Sequence, residues 1–172
     1  LMAAVAWIMS QLNNIDDLTL KIMHFWVSYL IFISWLLDPF SPYQGINGEL
    51  NPLLQTNLMV IHPPLVFLYY SLCMATATVA LAGIIQKNHS RIIHDQLLPW
   101  ARSAFFIGTL GIGLGGLWAY TVLDWGGYWA WDPVETGSIL PWMTLLLIIH
   151  ARSKPNSSSA YSISPALGII TG

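Results

Sequence analysis

The sequence predicts an all-α, polytopic transmembrane protein of about four spans, with a Trp-rich loop on its outer surface. Three observations predict it. Hydrophobic residues make up 55% of the 172 and charged residues only 8%, whereas soluble domains carry roughly 25% charged residues. Four apolar segments approach the ~20 residues that a spanning helix needs. All six Lys and Arg then fall on one side of those segments.

The first span covers residues 20–37 and is a little short; the second, 58–85, is the longest. The third covers 100–123, and the fourth, 137–151, is short unless its helix continues past one end. Pro, Gly, Asn and Asp punctuate the chain between them. Lys21 lies at the start of the first span, Lys87 and Arg91 separate the second from the third, Arg102 lies at the start of the third, and Arg152 and Lys154 follow the fourth. Basic residues gather on the cytoplasmic or matrix side. The opposite loops, 38–57 and 124–136, hold five acids and no Lys or Arg. Residues 1–172 thus read as a single membrane domain ending in a Ser-, Pro- and Asn-rich flexible tail over 153–172.

Several function classes drop out. A net charge of −2 suggests no nucleic-acid partner. Cys73 is alone, which excludes an intrachain disulfide or a Cys-based zinc site, and it reads as a small buried hydrophobe. Residues 1–9 are apolar but too short to span, and they lack the basic flank of a secretory signal. They are expected to end a helix whose start is not included, as in an incomplete or split chain. The glycosylation patterns at Asn88 and Asn156 lie on the inner side, where no modification is expected.

Candidate chemistry concentrates outside. Between Trp118 and Trp142 stand five Trp and two Tyr. Trp favours membrane interfaces, because its ring is apolar and its N–H seeks water. That accounts for a few aromatics at a span end, but less easily for Trp125, Trp129 and Trp131 interleaved with Gly126 and Gly127. Glycine lets a ligand approach the backbone closely. Two readings therefore stay open, an interfacial anchor or a rigid aromatic platform for a planar macrocycle.

His62 precedes Pro63 and Pro64 at the outer end of the second span. Proline is tolerated in a helix's first turn, which would leave the imidazole at the membrane surface near the Trp-rich loop. His150 lies about 20 Å inward of Gly137 if that segment is helical. An ionisable residue inside a membrane is a functional candidate; for both histidines a ligand role and hydrogen-bonded packing remain open. His24 can snorkel to water, while His89 and His94 are expected to be solvated in the basic inner loop. Asp132 reads as accepting backbone N–H bonds in a turn. Glu135 reads as an anion near a helix start; a charge tuning a bound group is the alternative. Gly111-Ile112-Gly113-Leu114-Gly115-Gly116 satisfies a dinucleotide-binding pattern but lies inside a span, where that pattern has no meaning. Gly111 and Gly115 read better as a close helix-packing face.

The run Trp125-Gly126-Gly127-Tyr128-Trp129-Ala130-Trp131-Asp132-Pro133-Val134-Glu135, followed by Leu140-Pro141-Trp142, resembles the WWD signature of haem-handling membrane proteins. Within that family it is most similar to the CcmF-type component of cytochrome c haem lyases. Glu49-Leu50-Asn51-Pro52-Leu53-Leu54-Gln55, Ile61-His62-Pro63-Pro64-Leu65 and Leu146-Leu147-Ile148-Ile149-His150 carry the same resemblance. It runs from about residue 33 to 153 and covers the family's N-terminal and central portion only, as in a split mitochondrial version. It implies that His62 ligates the iron of a delivered haem, and that His150 ligates a structural b-type haem. Trp125, Gly126, Gly127, Trp129, Trp131 and Asp132 would contact the cofactor, haem b, and no single residue would be catalytic. The second histidine of each pair lies beyond Gly172 in the family's order, so another chain would supply it.

The implied function is that of a subunit of a multi-subunit cytochrome c haem lyase, presenting haem at the outer face for thioether attachment to apocytochrome c. The alternatives are a haem transporter or chaperone without ligation, or a split lyase piece kept as a structural subunit of a respiratory complex. The implied partners are the chains completing the lyase, a haem-carrying chaperone, apocytochrome c and membrane lipid. The expected location is the mitochondrial inner membrane with the WWD loop facing the intermembrane space; the alternative is a bacterial plasma membrane with the loop in the periplasm.

Overall fold

The computed structural model describes residues 1–39, 55–122, 127–151 and 163–172. Among them the chain forms six helices and no strand: α1 (Met2–Ser10), α2 (Asp17–Leu37), α3 (Asn57–Ile85), α4 (Ser90–Thr121), α5 (Pro133–Ala151) and α6 (Ser164–Ile170). The helices α2 to α5 are long and apolar enough to cross a membrane. The all-helical class and the four spans agree with the sequence. Cys73 is buried, as expected.

The spans do not share the core equally. Burial covers 56% of the most apolar window of α3 but only 6% of that of α2, so α3 is the central helix and α2 an outer one. Asp16 caps α2 by accepting from the Thr19 backbone N–H and hydroxyl, and the Gln86 amide at the end of α3 donates to it too. Burial pushes the Asp16 carboxyl up, but the bonds from Thr19 and Gln86 outweigh it and hold the group below its ordinary value. This tie therefore contributes at neutral pH and is lost as acidification protonates the carboxylate.

Glycines on α4 let α3 approach closely. A side chain at Gly108 would meet the Tyr69 ring at 2.7 Å, one at Gly111 would meet Val66 at 3.4 Å, and one at Gly115 would meet His62 at 2.7 Å. These three glycines face a ridge of one residue per turn on α3, the packing that the Gly111 and Gly115 spacing predicted. Tyr69 is fully buried, and its hydroxyl donates to the Ser138 carbonyl on α5 at 2.9 Å. Packed on Gly108 of α4 and bonded to α5, Tyr69 joins the three central helices at one level.

Several boundaries and environments differ from expectation. The helix α3 begins at Asn57, so Pro63 and Pro64 lie in its second turn rather than its first. Their missing N–H groups leave the Met59 and Val60 carbonyls without their usual helical partners. The helix α4 begins ten residues early, because Ile93, Leu97 and Leu98 face the core while Arg91 faces outward. Counting apolar residues passes over such amphipathic turns. His94, expected to be solvated, is fully buried, and its Nδ1 lies 2.8 Å from the Ser164 hydroxyl. That contact bears on the tail. Residues 152–162 lie outside the described residues, but 163–172 are not loose. They carry α6, whose Ser164, Pro165 and Gly168 are buried. Gly168 lies close to Ala80 and Leu97, where a side chain would collide. A polar composition upstream concealed a short apolar segment that has a groove to fill.

A histidine and tryptophan cavity as the candidate functional site

The start of α3, the end of α4 and the start of α5 meet at one end of the bundle. Between them lies a cavity of about 210 Å³ whose wall includes His62, Gly115, Trp118, Trp129, Asp132 and Glu135. The expectation that His62 lies beside the Trp-rich loop therefore matches the structure.

His62 is held on two sides. Its Nδ1 lies 3.0 Å from the Gly111 carbonyl, and its ring meets Trp118 edge-on at 5.7 Å. A carbonyl can only accept, so Nδ1 carries the proton. Nε2 is then the lone-pair nitrogen, and a ring held in this way is the usual preparation for a metal ligand. Gly115 leaves the room for it.

Asp132 and Glu135 take the structural roles anticipated for them. The Asp132 carboxylate accepts from the Glu135 N–H at 2.7 Å and caps α5. Pro133 occupies the first helical position, where a missing N–H costs nothing. This cap starts α5 four residues earlier than the apolar run suggested. Replacing Asp132 by Ala is expected to lower stability by about 1 kcal/mol; a melt in detergent showing no change would remove the capping role. Glu135 reaches back, and one of its oxygens accepts from the N–H groups of both Ala130 and Trp131 at 2.9 Å.

The two described tryptophans of the loop do not lie in one plane. Trp129 and Trp131 meet at 82° with centroids 6.0 Å apart, so they form a corner. Trp129 is half-buried, whereas Trp131 is 70% exposed and has a φ of 58°. Gly127 is described and has room around it, with only the Trp129 carbonyl near. Trp125 and Gly126 lie outside the described residues, as does Glu49-Leu50-Asn51-Pro52-Leu53-Leu54. Sequence reasoning missed Trp118 and Ser138 as cavity residues. Trp118 stood among the counted aromatics, but only the α3–α4 crossing turns it toward His62. Ser138 had no signal at all.

The other candidate is far away. His150 lies about 22 Å along α5 from Glu135 at 1.5 Å per residue. It is exposed, with Nδ1 2.9 Å from the Leu146 carbonyl. The structure thus separates His62 from His150. His24, also exposed, makes the same local contact with the Leu20 carbonyl. Among the described residues no three His, Cys, Asp or Glu side chains converge on a point.

Fold and site together define an all-helical polytopic membrane protein with an imidazole and an indole corner at one end of its bundle. The chain belongs to the family described as cytochrome C assembly protein, which matches residues 1–171. It is 40% identical over 143 residues to the cytochrome c-type biogenesis protein CcmF of Escherichia coli (strain K12), covering 78% of this chain and 22% of that one. It is 37% identical over 135 residues to the cytochrome c-type biogenesis protein CycK of Rhizobium meliloti, covering 73% and 19%. The biogenesis protein ccl1 of Rhodobacter capsulatus is 35% identical over 130 residues, covering 73% and 20%. The chain thus spans about a fifth of the length of these relatives, within their N-terminal part. No solved structure matches it.

Proposed function

We propose that this chain acts in cytochrome c maturation as one subunit of a haem lyase, and that His62 ligates the iron of the haem being delivered. The observation that carries this is the His62 imidazole, fixed through Nδ1 by Gly111, with Nε2 making no hydrogen bond to a described residue at a Trp-lined cavity. The lining fits a porphyrin edge. Indole Nε1 of Trp118 and of Trp129 and one oxygen of Glu135 are buried without hydrogen-bond partners among the described residues, and the rest of the wall is mostly apolar. At about 210 Å³ the cavity is smaller than the roughly 300–1,000 Å³ of sites that enclose a drug-sized ligand. It accommodates one edge of a macrocycle, leaving the opposite edge accessible beside exposed Trp131.

The haem substrate supplies the reactive vinyl groups, to which the two thiols of a Cys-x-x-Cys-His segment add. The residues of this chain bind and orient: His62 fixes the iron, Trp129 and Trp131 bracket the ring, and Asp132 and Glu135 hold the turn that carries them. Holding reactants in register accounts for a large share of such rate enhancements. His150 would serve a separate b-type haem, with its partner histidine on another chain; its distance from the cavity supports two sites rather than one. The partners are the chains completing the lyase, a haem-carrying chaperone, apocytochrome c and the surrounding lipid. The proposed setting is the mitochondrial inner membrane with the cavity end facing the intermembrane space.

Substituting His62 by Ala in the assembled complex tests this. Cytochrome c maturation is expected to fall by about two orders of magnitude and to recover partly with external imidazole. Undiminished maturation would remove His62 from the site. A wild-type chain that stays haem-free inside a respiratory complex would favour the role of a retained structural subunit.

A further inference from the structure

The turn that carries Trp129 and Trp131 has an unusual support. Trp131 has a φ of 58°, a conformation that bulky L-residues seldom adopt. Its indole is 70% exposed, so burial does not hold it there. The described bonds that do are the two from the Ala130 and Trp131 N–H groups to a single Glu135 oxygen, each 2.9 Å. Starting α5 does not require this arrangement, because Asp132 already caps the helix and Pro133 has no N–H to satisfy. In the usual capping box the acid at this position bonds the N–H of the cap residue itself. Here it bonds the two residues before the cap, which belong to the aromatic turn. The second Glu135 oxygen is buried, has no partner among the described residues, and belongs to a side chain in the cavity wall.

We infer that Glu135 is a positioning residue of the haem site, whose carboxylate holds the Trp129–Trp131 turn in the shape that sets the two indoles at right angles beside the His62 cavity. This rests on the haem reading above and adds a residue that contributes through the turn rather than by ligating iron. It predicts that hydrogen-bond acceptance, not negative charge, is what matters at this position.

The test compares the full-length wild type, E135Q and E135A, purified in detergent, with haem as the probe. Hydrogen exchange at the Ala130 and Trp131 amides is read without haem; haem affinity and the axial-histidine absorption signature are read with it. In E135A both amides are expected to exchange about tenfold faster and haem to bind about tenfold more weakly, as expected for two lost bonds. In E135Q the side-chain carbonyl can accept the same two bonds, so most of the protection and binding should be restored. Equal damage in E135Q and E135A would overturn the inference, because charge would then be the operative property. Loosened amides with undiminished haem binding would overturn it too, and would leave His62 untouched. A wild-type chain that binds no haem would overturn the haem reading and this inference together, while the exchange data would still report on the turn.

Discussion

Replacing Gly115 by Ala is expected to weaken haem binding by at least about tenfold, although the substitution adds one methyl group and replaces no ligand. The added carbon would lie 2.7 Å from His62 Cε1 and 3.4 Å from both ring nitrogens. The imidazole cannot retreat freely, since Trp118 abuts it and the Gly111 carbonyl holds Nδ1. It must rotate, and with it goes the lone pair on Nε2. Gly113 supplies the control on the same helix. A side chain there would meet only the Tyr128 hydroxyl at 3.8 Å, an ordinary contact. Haem titration of G115A and G113A should therefore separate them clearly. Equal affinities would mean that the His62 pose seen here is not the one that receives iron.

The largest effect on stability is expected from Gly108→Ala. The new carbon would come within 2.7 Å of two atoms of the Tyr69 ring, which is fully buried and pinned through its hydroxyl to Ser138. Overpacking and the strained hydrogen bond together should cost about 2–4 kcal/mol. At Gly137, on α5, an added carbon meets nothing within 4 Å. Exchange to Ala there is expected to raise stability by roughly 0.5–1 kcal/mol, because glycine loses more backbone freedom in a helix. Thermal denaturation in one detergent should order the chains G137A, wild type, G108A. A G108A chain that melts with wild type would show that α3 and α4 can separate without penalty. The loss in G108A should also reach the site, since Ser138 bonds Tyr69 through its carbonyl, Tyr70 through its hydroxyl, and lines the cavity.

Much of the fold was legible because membrane helices are specified by composition and length. Burying backbone polar groups in lipid forces the chain into helices, so four apolar runs sufficed to give the class. The boundaries were less legible. Apolar counting stopped α4 at residue 100, although its first ten residues bury one face against α3 and α6. The same counting started α5 at Gly137, although the Asp132 cap begins it at Pro133. His94 failed for a related reason. Its neighbours Arg91 and Asp95 suggest water, but one turn of helix separates a solvated face from a buried one.

The site divides along the same line. The sequence by itself determined which residue types were available: one histidine next to paired prolines, a Trp–Gly loop, and two acids three residues apart. Those follow from local order and carry the family signature. Only the tertiary structure decided that Gly115 makes room for His62, that Gly111 fixes its proton, and that Trp118 and Ser138 close the cavity. Each of these depends on how α3, α4 and α5 cross, and crossing is set by which surfaces can approach within a few ångströms. The tertiary structure likewise set Trp129 and Trp131 at right angles and gave Trp131 a positive φ, which no residue spacing reveals.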